Sequence, residues 1–209
     1  GTKGYCAAAT SERVLRYYGL DADEHEIAQL AGTSAGGGTS EDGMVEAIKR
    51  VGGKYRLGLK IVYRADPMKE LALYNQAARK MKAAELRPEA FIRDNCFFVN
   101  ELMAALRPDV VRAYRAKMTA ASAQFKRAVR EAVDAGVPLF WGVTLGWFPE
   151  VPALPQTAGG HMRLIIGYNS RTQEILYTDS WGAGHALKRM GEDQAWAMTK
   201  ALLYLKSRY

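Results

Sequence analysis

Near Gly136 the apolar residues change period, and that switch constrains the fold more than any other feature of this 209-residue chain. Upstream they recur at three- and four-residue intervals, as on the buried stripe of a helix. Ala7 to Ala9 with Val14, Leu15 and Tyr18 predict a first helix that stops at Gly19. "DADEHEIAQLAG" predicts a second, with acids in its first turn, Ile27 and Leu30 facing inward and Gly32 at its end. "TSAGGG" reads as a connector. "TSEDGMVEAIKRVGG" predicts a third helix with a Ser/Thr cap and the apolar spacing Met44, Val45, Ile48. From Asp66 to Ala135 three or four more helices fit, with Pro88 and Pro108 marking starts. Cys96, in "NCFFVNEL", is placed on the apolar side of one of them, in the core.

Downstream of Gly136 the runs are short and β-rich. "VPLFWGVTLG" predicts a strand, and "HMRLIIGYN" and "EILYTDSWG" predict two more around the turn "SRTQ". "WFPEVPALPQTAGG" is a proline-rich loop, "EDQAWAMT" a short helix and "ALLYLKS" a last strand. Helices first and strands last argue an α+β fold with an antiparallel sheet.

Composition excludes several classes. A 48% hydrophobic share supports a real core and excludes disorder. No apolar run approaches the roughly 20 residues of a membrane helix, so no integral membrane segment is expected, and the sequence opens with no charged-then-apolar leader. Two cysteines cannot build a disulfide framework, and no His/Cys/Asp cluster has metal-ligand spacing. The net charge of +7 is local: residues 60–130 hold 15 Lys and Arg against 7 Asp and Glu, the remainder 14 against 15. These cations are spread over several helices without interleaved aromatics, so they read as a solvated surface and no nucleic-acid partner is expected.

Against this background Cys6 stands out. At the start of a helix it meets partial positive charge and free N–H groups, which favour thiolate, although a lone cysteine is commonly a small buried hydrophobe. A thiolate nucleophile needs a base, and there are three histidines. His25 lies in an acidic helix and reads as exposed; His185 follows a glycine-rich turn. His161 follows Gly159-Gly160, where backbone approaches closely and leaves the ring facing an open cleft. A turn centred on Ser170 would set Asp179 directly opposite His161 and on the same sheet face, where a carboxylate orients an imidazole.

Early "YCAAA" on a helix, late "GGHMRLIIGYN" and then "DSWG" resemble the papain-like cysteine peptidase superfamily, with Asp in place of Asn in its Asn-Ser-Trp-Gly run. "YYG" after the first helix and the spacing of His, Gly-Tyr and Asp look most like the bacterial double-glycine, bacteriocin-leader-peptidase-like branch. The likeness covers residues 1–50 and 136–209. It implies an α+β, papain-like cysteine peptidase fold in which an N-terminal helical half packs on a C-terminal antiparallel sheet. Residues 1–209 would then be a single peptidase domain with a helical insertion at about 66–135.

The same resemblance implies that Cys6 is the nucleophile, His161 the base and then acid, Asp179 its orienter, and Trp181 the shield of the His–acid hydrogen bond. It implies no cofactor, and a peptide or protein as substrate partner. Superfamily members carry an oxyanion-donating glutamine shortly before the cysteine; Gly1 to Tyr5 contain none, and the usual spacing puts it just before Gly1. Tyr5, Trp147, Phe148 and Gly160 read as cleft residues, with a rigid surface connection as the alternative for the aromatics. Two rival functions stay open: a transglutaminase-like or arylamine acetyltransferase-like acyl transfer, and a degenerate domain that binds peptide or cell-wall material.

Overall fold

The computed structural model describes residues 6–30, 41–154 and 159–207. Three helices come first: α1 (Cys6–Tyr17), α2 (Glu24–Leu30) and α3 (Glu41–Lys54). Gly19, at φ 73°, ends the first helical turn out of α1, a left-handed conformation that glycine adopts without strain. The stripe Val14, Leu15, Ile27, Met44, Val45 and Ile48 is buried as its spacing predicts, but Leu30 is 38% exposed and does not face inward. The connector at 31–40 lies outside the described residues.

Six strands form one antiparallel sheet in the order β1-β8-β4-β5-β6-β7, with β1 (Leu57–Arg64), β4 (Leu139–Leu145), β5 (Gly159–Asn169), β6 (Glu174–Thr178), β7 (Lys188–Gly191) and β8 (Thr199–Ser207). Both faces are covered. Alternation along β5 sends Met162 and Leu164 into the core with α1 to α3, and Ile165 to the opposite core with Phe125 and Val129 of α7 (Thr119–Asp134) and Trp196 of α8 (Glu192–Met198). All of β4 is buried, which explains its unbroken apolar run. Each fully buried Leu, Ile or Val here contributes roughly 1.5–3 kcal/mol.

Further predicted features are corrected. The sheet does not come wholly after the helices, because β1 pairs with β8 from the N-terminal half. A register shift between Ile61 and Tyr63 puts its alternation out of phase, and that hides it in the sequence. Cys96 is not on a helix and not in the core: it is exposed, in the two-residue hairpin of β2 (Ile92–Arg93) and β3 (Cys96–Phe97). Asp94 and Asn95 make the turn at φ 50° and 58°, the left-handed pair that Asp and Asn tolerate in a tight hairpin.

Within 66–135 the structure has α4 (Pro67–Lys80), α5 (Val99–Ala105), α6 (Pro108–Arg115) and α7. Pro88 opens a 3-10 turn rather than an α-helix. The first three helices share a separate core around Leu71, Tyr74, Leu102, Val110 and Val111, whereas α7 packs on the sheet. That separate core is fastened to the sheet by Arg115, whose guanidinium lies 3.0 Å from Glu70 and donates to the Thr199 carbonyl at 2.9 Å. Glu70 also accepts from the Tyr63 and Tyr114 hydroxyls, so this ion pair is buried with its carboxylate satisfied.

Candidate active site

Cys6 is the first residue of α1, where the helix dipole and unpaired amides favour an anion. Ala7 and Ala8, nearly fully buried, let α1 lie close to the sheet. Two side chains then fix its direction. The Thr10 hydroxyl donates to the Met162 carbonyl at 3.5 Å, and Arg13 donates to the Asp179 carbonyl at 3.0 Å and the Thr178 hydroxyl at 2.9 Å.

The strands supply the other half. β6 pairs with β5 only from Leu164 onward, opposite Thr178, so among the described residues no strand pairs with 161–163 of β5 on that side. The α1 N-terminus and the chain leaving β6 converge at this gap. His161 Nε2 lies 2.8 Å from Asp179 Oδ1, with the imidazole 4% and the carboxylate 0% exposed. With Nε2 committed to Asp179, Nδ1 is the ring nitrogen left for the thiol.

The charges agree with that pairing. Burial pushes the Cys6 thiol up, but a hydrogen bond from His161, the charge of that ring, and the Met162 and Ala7 backbone hold it below its ordinary value. Burial pushes His161 down, yet its hydrogen bonds to Asp179 and Cys6 leave it above its ordinary value. Asp179 would be raised by burial; His161, Arg163 and Lys188 hold it well below the usual carboxylate range. A buried carboxylate, an imidazole and a thiol therefore lie in series, and the shifts of thiol and ring both run in the direction of thiolate and imidazolium.

The register differs from the simple expectation. Continuing from Leu164 opposite Thr178, the residue directly across from Asp179 is Arg163, and its Nε donates to Oδ1 at 3.0 Å. His161 reaches the carboxylate diagonally, from two residues further along the same face. Trp181 stacks on the His161 ring at 4.1 Å and 21°, and stands perpendicular to His185 at 5.4 Å. His185 Nδ1 is 3.8 Å from Asp179 Oδ2, and its carbonyl accepts the Asp179 N–H at 3.1 Å, so this histidine also belongs to the acid's surroundings. His25 is exposed on α2.

A Cβ on Gly160 would meet Asn100 and Lys200 at 3.4 and 3.5 Å, ordinary contact distances. Gly159, at φ 141°, is the glycine whose backbone other residues rarely adopt. Trp147 and Phe148 are partly buried against the α7 core, with Trp147 also touching the α4–α6 core. Tyr5 lies outside the described residues.

Four participants escaped the sequence reading: Arg13, Glu150, Arg163 and Lys188. Arg163 carried a signal, because a single arginine inside the apolar run "HMRLII" requires a buried partner. Glu150 is brought in by Val151, which pairs with Arg189 at the edge of β7 through bonds of 3.0 and 2.9 Å. Among the described residues no group of three or more His, Cys, Asp or Glu could hold a metal ion, and no helix is long and apolar enough to cross a membrane.

No curated protein matches the chain. Among solved structures it is similar to the peptidase domain of Streptococcus ComA, a bi-functional ABC transporter involved in a quorum-sensing pathway. The identity is 13%, over 98% of this chain and 93% of that one, at a TM-score of 0.45. The model of the Peptidase_C39 like family matches residues 2–204, so it spans α1, the helical segment and the whole sheet up to β8. The resemblance carried by "YCAAA", "GGHMRLIIGYN" and "DSWG" thus extends over nearly the full length, and the chain belongs to the Peptidase_C39 like family.

Proposed function

We propose that residues 1–209 act as one cysteine peptidase domain that hydrolyses peptide bonds, with 66–135 as a helical elaboration of its core. The observation that carries this reading is the buried 2.8 Å contact of His161 Nε2 with Asp179 beside the head of α1, where Cys6 stands, and the mutual shifts of thiol and ring support it. In a family of peptidases, that pairing is the arrangement a thiolate nucleophile requires.

In the proposed reaction the Cys6 thiolate attacks the substrate carbonyl carbon while His161 holds the proton at Nδ1. The tetrahedral intermediate collapses as that proton passes to the leaving amine, giving an acyl-enzyme. Water then adds to the thioester, losing a proton to His161, and the acid leaves as the thiol is restored. The Cys6 backbone N–H, at the head of α1, is one donor for the developing oxyanion. Asp179 fixes the ring's orientation and tautomer, and Trp181 keeps water from the His161–Asp179 hydrogen bond.

The test is cleavage of a diverse peptide library by the wild type and by Cys6→Ala, with mass spectrometry for an acyl-enzyme on Cys6. Cleavage that disappears in Cys6→Ala is expected. Cleavage that persists in the variant overturns the assignment of the nucleophile. A wild type that transfers acyl groups to amines in preference to water overturns hydrolysis as the reaction.

A further inference from the structure

Behind His161 lies a closed ring of four alternating charges. Asp179 Oδ1 accepts from Arg163 Nε at 3.0 Å, and Arg163 Nη2 lies 2.8 Å from Glu150 Oε1. Glu150 Oε2 is 2.5 Å from Lys188 Nζ, which returns to Asp179 Oδ2 at 3.2 Å. All four side chains are between 0 and 3% exposed. They come from four separate places: the strap after β4, β5, the chain after β6, and β7. Two cations and two carboxylates balance, so the ring as a whole carries no net charge.

An isolated aspartate against an imidazole would present a full negative charge in a poorly solvated place and would hold the proton strongly on the ring. Here the same carboxylate is shared with two cations. We propose that Glu150, Arg163 and Lys188 are positioning residues that clamp the Asp179 carboxylate and cancel its charge, so that it orients His161 as a hydrogen-bond acceptor without acting as a full counter-ion. This rests on the reading of Cys6, His161 and Asp179 as a catalytic series. Its chemical sense is that a base which must also release its proton to a leaving amine should not be over-stabilised as a cation.

Other charged or titratable groups face the same place. Cys6 and Arg13 come from α1, the latter bound to the Asp179 carbonyl. His185 stands 3.8 Å from Oδ2, the Tyr177 ring lies under the Arg163 guanidinium at 4.7 Å, and Lys200 approaches Gly160. Cys6 is replaced by Ala in every variant compared, and the others are left unchanged throughout.

The experiment follows the His161 imidazole by NMR titration of the full chain in the Cys6→Ala background, where the ring reports only on the Asp179 side. Three histidines are to be assigned. Lys188→Met removes the cation on Asp179 Oδ2 and should raise the His161 midpoint by about one pH unit. Glu150→Gln removes the distal carboxylate and should lower it. Glu150→Gln/Lys188→Met is again balanced and should return it to the parent value. A merely structural ring makes a different forecast: each variant loosens Asp179, and every midpoint drifts the same way, down toward a free imidazole. A lowered midpoint in Lys188→Met, or in the balanced double variant, overturns the proposal. Should Lys188→Met not fold, the double variant decides alone. Failure of the peptidase reading appears separately, as Cys6-independent cleavage.

Discussion

Replacing Asp179 by Ala should unfold much of what the charge ring holds. The carboxylate accepts from His161 at 2.8 Å, Arg163 at 3.0 Å and Lys188 at 3.2 Å, and its side chain is fully buried. Truncation leaves Arg163 and Lys188 sharing Glu150 alone, so one buried cation loses its counter-charge. Breaking a buried pair in this way costs about 3–5 kcal/mol. Against a total of roughly 5–15 kcal/mol, that is a large fraction, equivalent to about 6–20 °C in Tm for a chain of this size. Urea unfolding followed by tryptophan fluorescence at pH 7 measures it.

The sign with pH follows from the same contacts. The folded carboxyl is held below its unfolded value, so its stabilisation is fully present above about pH 4 and fades as pH falls from there through the folded value. The gap between wild type and Asp179→Ala should therefore widen somewhat as pH falls from 7 to about 5, where His161, held above its ordinary value partly by Asp179, gains its proton, and then shrink in stronger acid as the carboxylate itself is protonated. A loss below about 1 kcal/mol at pH 7, with an unchanged urea slope, would show that no buried cation depends on Asp179. That result would refute the ring.

Two further outcomes are expected. In His161→Ala, burial is left as the largest influence on the Cys6 thiol, so the group should rise above its ordinary value, and iodoacetamide labelling at pH 7 should slow by about tenfold or more; an unchanged rate would mean that His161 does not set the thiol. Arg115→Met should cost about 3–5 kcal/mol in urea unfolding by leaving Glu70 buried with only tyrosine hydroxyls, while Cys6 labelling in the folded protein stays at the parent rate; slower labelling would tie the helical segment to the thiol.

How far the site could be read from the sequence depends on which interactions are local. The start of α1 is local, since the Cys6-Ala-Ala-Ala run and the stripe of Val14 and Leu15 set both a helix terminus and the face it buries. The shared face of His161 and Asp179 was legible for a subtler reason. The true register is two residues away from the simple hairpin, with a shift between Ile165 and Gly167, and a displacement by two preserves side-chain parity where a displacement by one would reverse it. His161 and Asp179 therefore stay on one face and meet diagonally, while Arg163 takes the directly opposite place. The number of residues between strands constrains the face far better than it constrains the partner.

The ring had no such protection. Glu150, Arg163, Asp179 and Lys188 are brought together only after β5, β6, β7 and the Val151 strap have found their registers, and no periodicity links them. The inward direction of Lys188 beside an outward Arg189 is decided by pairing with Tyr177 at the edge of the sheet. What the sequence did carry was the demand rather than the answer. A lone arginine in an apolar strand must find a carboxylate, and a lone aspartate beside it cannot satisfy that cation and an imidazole with full charge to each. Once Arg163 neutralises Asp179, a second cation at Lys188 requires a second carboxylate, and Glu150 is the one the strap delivers. The site is thus closed by charge balance, a condition on the whole sheet, and the tunable part of His161 lies as much in Glu150 and Lys188 as in the aspartate it touches.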